Sequence, residues 1–312
     1  MTLPAPTQLP FTVLATGLGF PEGPVALNDG SVLLVEMSRG KLTRVEPDGG
    51  KHTAAAPGGG PNGLALTRDG YVYACNNGGD RFGDLNGLFL PQSDPAHDHG
   101  ARIERINAES GAVEVVYTHA GELRLTAPND LVLDDYGGFW FTDFGKDDGV
   151  SRKHGAICYG RLDGSGAETV VFPCFAPNGI GLSPDGRTLY AAETFTGRLN
   201  AYDVKSPGAI VPTNSFYAGR MVGSSPGRSC LDSMAVEADG NICVGGLLLG
   251  EILVFAPEGG IVERVTVPDP LPTNICFGGP DLRTAYITLS HTGKLIAMEW
   301  PRAGLALPHQ RR

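Results

Sequence analysis

The stretch PNGIGLSPDGRTLYAAE, residues 177–193, contains a compact unit of two short apolar segments. A polar residue precedes the first segment, a Ser-Pro-Asp-Gly turn follows it, and the second segment ends at a carboxylate. Glycine in such a turn supplies the positive φ that a tight hairpin requires. The unit therefore predicts two antiparallel strands joined by a short turn.

The chain contains six copies of this unit, including the one at residues 177–193. The copies span residues 21–36, 61–76, 128–143, 177–193, 231–246 and 273–288. Their recurrent polar residues lie at intervals of 40, 67, 49, 54 and 42, and are Glu22, Asn62, Asn129, Asn178, Asp232 and Asn274. Each interval accommodates about four strands of 5–6 residues with their turns. We therefore predict an all-β, six-bladed β-propeller with four antiparallel strands per blade, forming a single domain over residues 1–312.

The two ends of the chain complete this pattern. The sixth copy continues into GKLIAMEW, residues 293–300, but no clear fourth strand follows it. The segment FTVLATG, residues 11–17, resembles a strand yet has no blade of its own. We predict that this N-terminal strand forms the outer strand of the last blade and closes the ring.

The composition supports the all-β prediction and disfavours some classes of binding partner. The chain has 312 residues, of which 45 are glycine and 24 are proline, so long helices are disfavoured. No apolar run is long enough to span a membrane, and a net charge of −10 disfavours nucleic acids and anionic membranes as partners. The first ten residues lack the features of a signal peptide, and the six cysteines match no zinc-binding spacing. We expect a reduced, cytoplasmic protein.

The propeller geometry predicts where functional residues lie. The first strand of each blade lines the central channel, so the six recurrent polar residues would surround one mouth. Each second strand returns to this face and brings its last residue there, which adds Glu36, Asn76, Asp143 and Glu193. Three long insertions, residues 80–100, 144–160 and 217–230, are also predicted to form loops at this face. Long irregular loops are frequently functional, and we expect a covered pocket here.

Four of these residues suggest a metal site. Glu22, Asn129, Asn178 and Asp232 all present oxygen donors. Two carboxylates in an apolar channel are unfavourable unless their charge is neutralised, and an all-oxygen set favours Ca²⁺, Mg²⁺ or Mn²⁺. Capping of turns is the alternative at this point, because Asn and Asp are common turn residues.

Five motifs carry a resemblance to a known family. They are FPEGPVAL from Phe20, APNDLVLDD from Ala127, GGFWFTDF from Gly137, APNGIGLSPDGRTLYAAET from Ala176 and LDSMAVEADGNICVG from Leu231. Over residues 10–300 the chain resembles the senescence-marker-protein/gluconolactonase/luciferin-regenerating-enzyme family. The resemblance implies a six-bladed propeller with one divalent cation in its channel, and an enzyme that hydrolyses sugar lactones or, in a related branch, organophosphates.

The resemblance also implies roles for individual residues. Glu22, Asn178 and Asp232 would bind the cation, with Asp232 also acting as general base. Asn129 would be a further ligand or would contact the substrate. We expect Ca²⁺, with Zn²⁺, Mn²⁺, Mg²⁺ or Fe²⁺ as alternatives, and substrate contacts from Asn129, Asn76, Asp143, Glu193 and Arg228.

One position departs from the family pattern. Animal gluconolactonases carry an arginine two residues before the asparagine that corresponds to Asn129, whereas this chain has Ala127. Arg124, Arg220 and Arg228 are predicted to lie in loops at the same face, where each is either a replacement contact or a solvated charge.

The resulting hypothesis is a metal-dependent lactonase acting on a small-molecule lactone, as a monomer or weak homo-oligomer. Hydrolysis of another ester, such as an organophosphate or aryl ester, is the alternative within enzymes. A non-enzymatic propeller used as a binding platform is the alternative outside them.

Overall fold

The computed structural model describes residues 3–147, 150–213 and 218–311. It confirms the predicted all-β architecture, a six-bladed β-propeller with four main antiparallel strands in each blade. The first strands of neighbouring blades contact one another from blade one to blade six, and blade six contacts blade one. The first strands therefore surround the axis, and the later strands lie progressively further out.

The two inner strands of each blade correspond to the repeated sequence unit. The first strands are Pro21–Ala26, Pro61–Leu66, Pro128–Leu133, Pro177–Leu182, Cys230–Val236 and Pro272–Gly278. The second strands are Val32–Glu36, Tyr71–Asn76, Gly138–Asp143, Thr188–Glu193, Ile242–Leu247 and Thr284–Leu289. Apolar residues of these strands are mostly buried and pack between adjacent blades.

The two outer strands complete each sheet. The third strands are Lys41–Val45, Arg102–Asn107, Gly155–Arg161, Arg198–Ser206, Glu251–Phe255 and Lys294–Glu299. The outer strands are Lys51–Ala55, Val113–Tyr117, Ala167–Cys174, Arg220–Ser224, Ile261–Thr266 and, in blade six, Phe11–Ala15.

A few short elements lie outside this scheme. Two small hairpins are formed by Arg81–Leu85 with Leu88–Gln92 and by His119–Ala120 with Leu123–Arg124. The remaining short strands are Thr7–Gln8 and Ala209–Ile210, and the 3₁₀ helices are Met37–Arg39, Pro95–His97 and Pro308–Gln310. No helix in the described ranges is long and apolar enough to cross a membrane.

The predicted closure by the N-terminal strand is confirmed. Phe11–Ala15 pairs antiparallel with Lys294–Glu299, the third strand of blade six. Just before it, Thr7–Gln8 pairs in parallel with Ile261–Thr266, the outer strand of blade five. The N-terminal segment therefore joins the last two blades and covers a strand edge that would otherwise be unpaired.

The C-terminal segment, residues 303–311, crosses the channel at the end opposite the mouth. The Leu305 amide donates to the Val236 carbonyl at 2.9 Å in blade five. The Gln310 side chain donates to the Phe277 carbonyl at 2.8 Å in blade six. Further hydrogen bonds of this segment reach blades one, two and three at Ala26, Arg68 and Asp135. The segment therefore connects five of the six blades.

The structure corrects the alignment of the sixth copy. Pro272 lies opposite Leu289, just as Pro21 lies opposite Glu36. Thr273 therefore corresponds to Glu22, and Asn274 lies one residue further along the strand than predicted. Successive side chains of a strand point to opposite faces, so a shift of one residue changes which side chain faces the channel. The pairing of the two strands reveals this shift.

Two of the predicted insertions are also partly regular structure. Residues 155–160 belong to the third strand of blade three, and Arg220–Ser224 is the outer strand of blade four. The insertion after the second strand of blade two forms the hairpin Arg81–Gln92, which extends to blade six because the Phe89 amide donates to Nδ1 of His291 at 3.2 Å.

Candidate metal centre and active site

Glycines let the first strands approach closely at the mouth. A Cβ atom on Gly63 would lie 2.6 Å from Cα of Asp130 in the next blade. A Cβ atom on Gly179 would lie 2.6 Å from the Asp232 carbonyl oxygen. Real Cβ atoms do not come this near to backbone atoms, so these positions require glycine. The close approach brings the polar side chains of neighbouring blades together.

Glu22 and Asp232 are the two buried carboxylates that the sequence predicted for the metal site. They are only 3% and 6% exposed. Burial raises the pKa of each, and the negative charge of Glu22 raises the pKa of Asp232 further. Two acidic groups this close together and this poorly solvated favour a bound cation or protonation.

Hydrogen bonds hold the carboxylates and amides of this ring in place. The Asn274 side chain donates to Oε2 of Glu22 at 3.1 Å, across the junction of blades six and one. The Asn178 side chain is hydrogen bonded to Asp232 and donates from Nδ2 to Thr194 at 3.1 Å. These contacts cross two blade junctions and one loop of blade four, so the overall fold fixes the orientation of the side chains involved.

Two amide oxygens in the same ring are buried and have no partner. Within the described residues, Oδ1 of Asn62 and Oδ1 of Asn129 accept no hydrogen bond. A buried acceptor without a partner costs about 1–3 kcal/mol, so such atoms are rare unless a ligand satisfies them.

The donor set fits a hard divalent cation held by carboxylates and amides together. Across residues 3–147, 150–213 and 218–311, no three His, Cys, Asp or Glu side chains form a metal-holding cluster. A cation would therefore depend on the amide oxygens of Asn129 and Asn178 as well as on Glu22 and Asp232. All four are oxygen donors, as Ca²⁺ and Mg²⁺ prefer.

Asp130 is a site residue that the sequence analysis missed. It is buried, its negative charge acts on both Glu22 and Asp232, and burial raises its pKa to about 7. Its Oδ1 accepts from the Leu131 amide at 2.8 Å. The repeat itself marks Asp130 as unusual, because most copies have glycine or serine at the position that this aspartate occupies in blade three.

The residues that end the second strands accept hydrogen bonds from the loops that precede the first strands. Oδ1 of Asn76 accepts from the Gly60 amide at 3.0 Å, and Oδ1 of Asp143 accepts from the Ala127 amide at 2.7 Å. Both loops lead directly into the first strand of the same blade. Glu36 and Glu193 contact the equivalent loops through Gly19 and Phe175. For Asn76, Asp143 and Glu193, contact with substrate stays a prediction.

The three arginines proposed to replace the missing contact differ in position. Arg124 and Arg228 are exposed and lie in or beside loops that precede the first strands of blades three and five. Arg220 instead begins the outer strand of blade four, and its side chain donates to the Pro257 carbonyl at 3.1 Å, away from the mouth. Its predicted place at the mouth was wrong, because a strand occupies what was interpreted as a loop. A substrate contact of Arg228 stays a prediction.

Comparison with known proteins identifies the family. A family model described as the SMP-30/gluconolactonase/LRE-like region matches residues 20–291. The chain belongs to this family. Lactonase drp35 of Staphylococcus haemolyticus is 26% identical over 209 residues, which cover 67% of this chain and 57% of that protein. The diisopropyl-fluorophosphatase of Loligo vulgaris is 30% identical over 195 residues, which cover 58% of this chain and 60% of that protein. The chain thus matches about three fifths of the length of these relatives.

The fold is shared with a solved structure. The crystal structure of regucalcin from Agrobacterium tumefaciens, described as a calcium-binding protein, superposes with a TM-score of 0.76. The match covers 99% of this chain and all of that one at 17% identity. At this identity the likeness establishes the common propeller fold.

Proposed function

We propose that this protein is a divalent-metal-dependent hydrolase that opens a small lactone of the sugar-lactone type. The observation that carries the proposal is the group of Glu22, Asp232 and the unpartnered amide oxygen of Asn129 at one mouth of the channel. Membership of a family whose relatives include named lactonases supports the reaction class.

Glu22, Asn129, Asn178 and Asp232 would hold the cation, and Ca²⁺ is our first candidate. Zn²⁺, Mn²⁺, Mg²⁺ and Fe²⁺ are the alternatives to be compared with it. When bound, the cation would neutralise the two carboxylates and act as a Lewis acid towards a lactone carbonyl oxygen.

Asp232 is the proposed general base. A water molecule attacks the carbonyl carbon, and Asp232 accepts the proton that this water loses. The bond between the carbonyl carbon and the ring oxygen then breaks, and the proton passes to the ring oxygen, which gives a hydroxy acid. The hydrogen bond from Asn178 fixes the direction in which the Asp232 carboxylate can accept a proton.

The space beneath the polar ring is lined by apolar and charged side chains together, among them Arg187, Lys205 and Arg311. A cavity of about 620 Å³ extends from Asp130 and Asn274 towards the opposite end of the propeller. Leu64, Leu131 and Leu305 are among its lining residues. None of the four proposed metal ligands lines this cavity, so we assign substrate entry to the mouth, where those ligands lie.

The test is hydrolysis of a panel of lactones, followed with a pH indicator. The protein is treated with a chelator and then supplied with each candidate cation in turn. We expect chelation to abolish hydrolysis and one cation to restore it. Hydrolysis that is indifferent to chelation would contradict the metal-dependent mechanism.

A matched pair of variants tests the general base. Asp232→Asn should reduce kcat at least 100-fold, in the range typical of general base catalysis. Asp239→Asn, an exposed aspartate in a turn of the same blade, should leave kcat unchanged. If Asp232→Asn retains kcat, the proposed role is wrong.

Hydrolysis of an organophosphate is a second candidate function. It is favoured by one observation, the 30% identity to the diisopropyl-fluorophosphatase of Loligo vulgaris. Adding a fluorophosphate to the same panel, with the same cations, distinguishes the two activities.

A further inference from the structure

Three phenylalanines and one arginine form a cluster at the mouth, which we call the aromatic rim: Phe144, Phe175, Phe195 and Arg152. The Arg152 guanidinium lies 4.9 Å from the centres of the Phe144 and Phe195 rings and 5.5 Å from that of Phe175. Phe195 also packs edge-on against Phe144 at 5.6 Å and against Phe175 at 6.3 Å.

The aromatic rim adjoins the proposed metal ligands. The Phe144 amide donates to the Ala127 carbonyl at 2.9 Å, two residues before Asn129. On the other side, the Thr194 amide donates to the Ala176 carbonyl at 3.0 Å, and the Thr194 hydroxyl accepts from Asn178. Phe175 and Phe195 are the chain neighbours of Ala176 and Thr194. The rim therefore lies beside the junction of blades three and four, near the proposed ligands Asn129 and Asn178.

Two of the three rings of the rim are exposed to solvent, and Phe144 is partly buried. Phe175 is 41% exposed and Phe195 is 55% exposed. A second aromatic cluster at the mouth is formed by Phe20 together with Phe82 and Phe89 of the hairpin Arg81–Gln92. Phe20 is buried, and the two hairpin rings are partly buried. Adjacent exposed aromatic side chains beside a candidate site are typical of a surface that binds an apolar ligand.

We propose that the aromatic rim is a specificity subsite for the aromatic ring of an aryl lactone, a class in which the lactone ring is fused to a benzene ring. This inference rests on the proposed lactonase activity and extends its substrate class from sugar lactones to aryl lactones. Exposed phenyl rings offer no hydrogen-bond donors or acceptors. They therefore bind a flat apolar group more favourably than they bind a group that carries hydroxyls.

Phe175 and Phe195 would contact the substrate ring, and Arg152 is a positioning residue. Its guanidinium stacks against all three rings and donates from Nη2 to the Phe144 carbonyl at 2.9 Å, so it sets their relative orientation. Asp147 interacts electrostatically with the same guanidinium. Such cation–π contacts strengthen when they are partly removed from water.

The experiment compares dihydrocoumarin with δ-valerolactone in the cation-loaded protein. The two substrates share a six-membered lactone ring and differ in the fused benzene ring. Phe175→Ala and Phe195→Ala should each lower kcat/KM for dihydrocoumarin about tenfold, and kcat/KM for δ-valerolactone less than twofold. Arg152→Gln should raise KM for dihydrocoumarin alone, and Arg152→Lys should recover part of this loss.

Tyr136→Ala is the matched control, because Tyr136 is an exposed aromatic residue in a turn at the opposite face. This substitution should change kcat/KM for neither substrate. Equal losses for both substrates in the Phe175 and Phe195 variants, or no loss for either, would overturn the proposal.

A binding measurement separates this proposal from the proposed function. Chroman and tetrahydropyran reproduce the two ring systems but cannot be hydrolysed. Saturation-transfer NMR should detect chroman binding to the unmodified protein and a weaker signal with Phe195→Ala. This result would support the rim even if no lactone were hydrolysed. Equal signals for chroman and tetrahydropyran would refute the rim whatever the hydrolysis assay shows.

Discussion

Replacing Glu237 with glutamine should destabilise the whole propeller. Glu237 follows the first strand of blade five and accepts from Trp300 at 2.6 Å, beyond the third strand of blade six. It also accepts from Nε and Nη2 of Arg302 at 2.5 and 2.9 Å and from Asn241 at 3.0 Å. One buried carboxylate therefore joins the last two blades.

The expected loss of folding free energy follows from the number of contacts that Glu237 makes and from their burial. Glu237 is fully buried, and glutamine would remove its charge and turn an NH₂ group towards at least one donor. Breaking a buried ion pair typically costs about 3–5 kcal/mol. Arg302 is partly exposed and keeps a contact to Glu263 at 2.6 Å, so we take the lower value, about 3 kcal/mol. This corresponds to a decrease in Tm of roughly 6 °C.

The loss should also depend on pH. Burial opposes ionisation of Glu237, but hydrogen bonds from Arg302, Trp300 and Asn241 outweigh it and hold its pKa below the ordinary value of 4.5. A carboxylate with a lowered pKa stabilises the folded state above its unfolded-state pKa. This contribution disappears as the pH falls through the folded-state pKa. The difference between the two proteins should therefore shrink well below pH 4.5.

Urea unfolding at pH 7 and at about pH 3.5, followed by circular dichroism, measures both effects. Glu122→Gln is the control, because Glu122 is an exposed glutamate in a tight turn. A change below about 0.5 kcal/mol for Glu237→Gln, or a difference that does not vary with pH, would refute this reasoning.

Three further predictions concern the ends of the chain and the cation. Deleting residues 1–16 should lower Tm because the third strand of blade six loses its partner, and an unchanged Tm would contradict the closing role. Deleting residues 304–312 should lower the free energy of unfolding by removing hydrogen bonds to five blades, and equal urea midpoints would count against that. Asn129→Ala should weaken Ca²⁺ binding about tenfold by calorimetry with little change in Tm, whereas equal affinity would remove Asn129 from the ligand set.

Much of the fold could be read from the sequence because the repeat is local. Hairpin turns such as residues 183–186 mark each pair of inner strands, and the unpaired segment 11–17 indicated the closure. The outer strand Arg220–Ser224 was missed because its residues, RMVGS, lack a clear alternation of apolar and polar side chains.

The candidate site was only partly readable. Glu22 and Asp232 stand out as carboxylates at matching positions of the repeat, but Asp130 was not predicted and Asn274 was aligned one position out of register. A repeat alignment shows which residues recur, whereas strand register decides which of them face the same space.

The sequence by itself determined the six blades, the N-terminal closure and the presence of polar residues at the start of each first strand, because these depend on turns and alternation within short segments. Only the tertiary structure decided that the C-terminal segment crosses the far end of the channel and that Phe144, Phe175 and Phe195 surround Arg152. These residues are far apart in the chain, and no local pattern relates them; their contacts arise only when adjacent blades pack around a common axis.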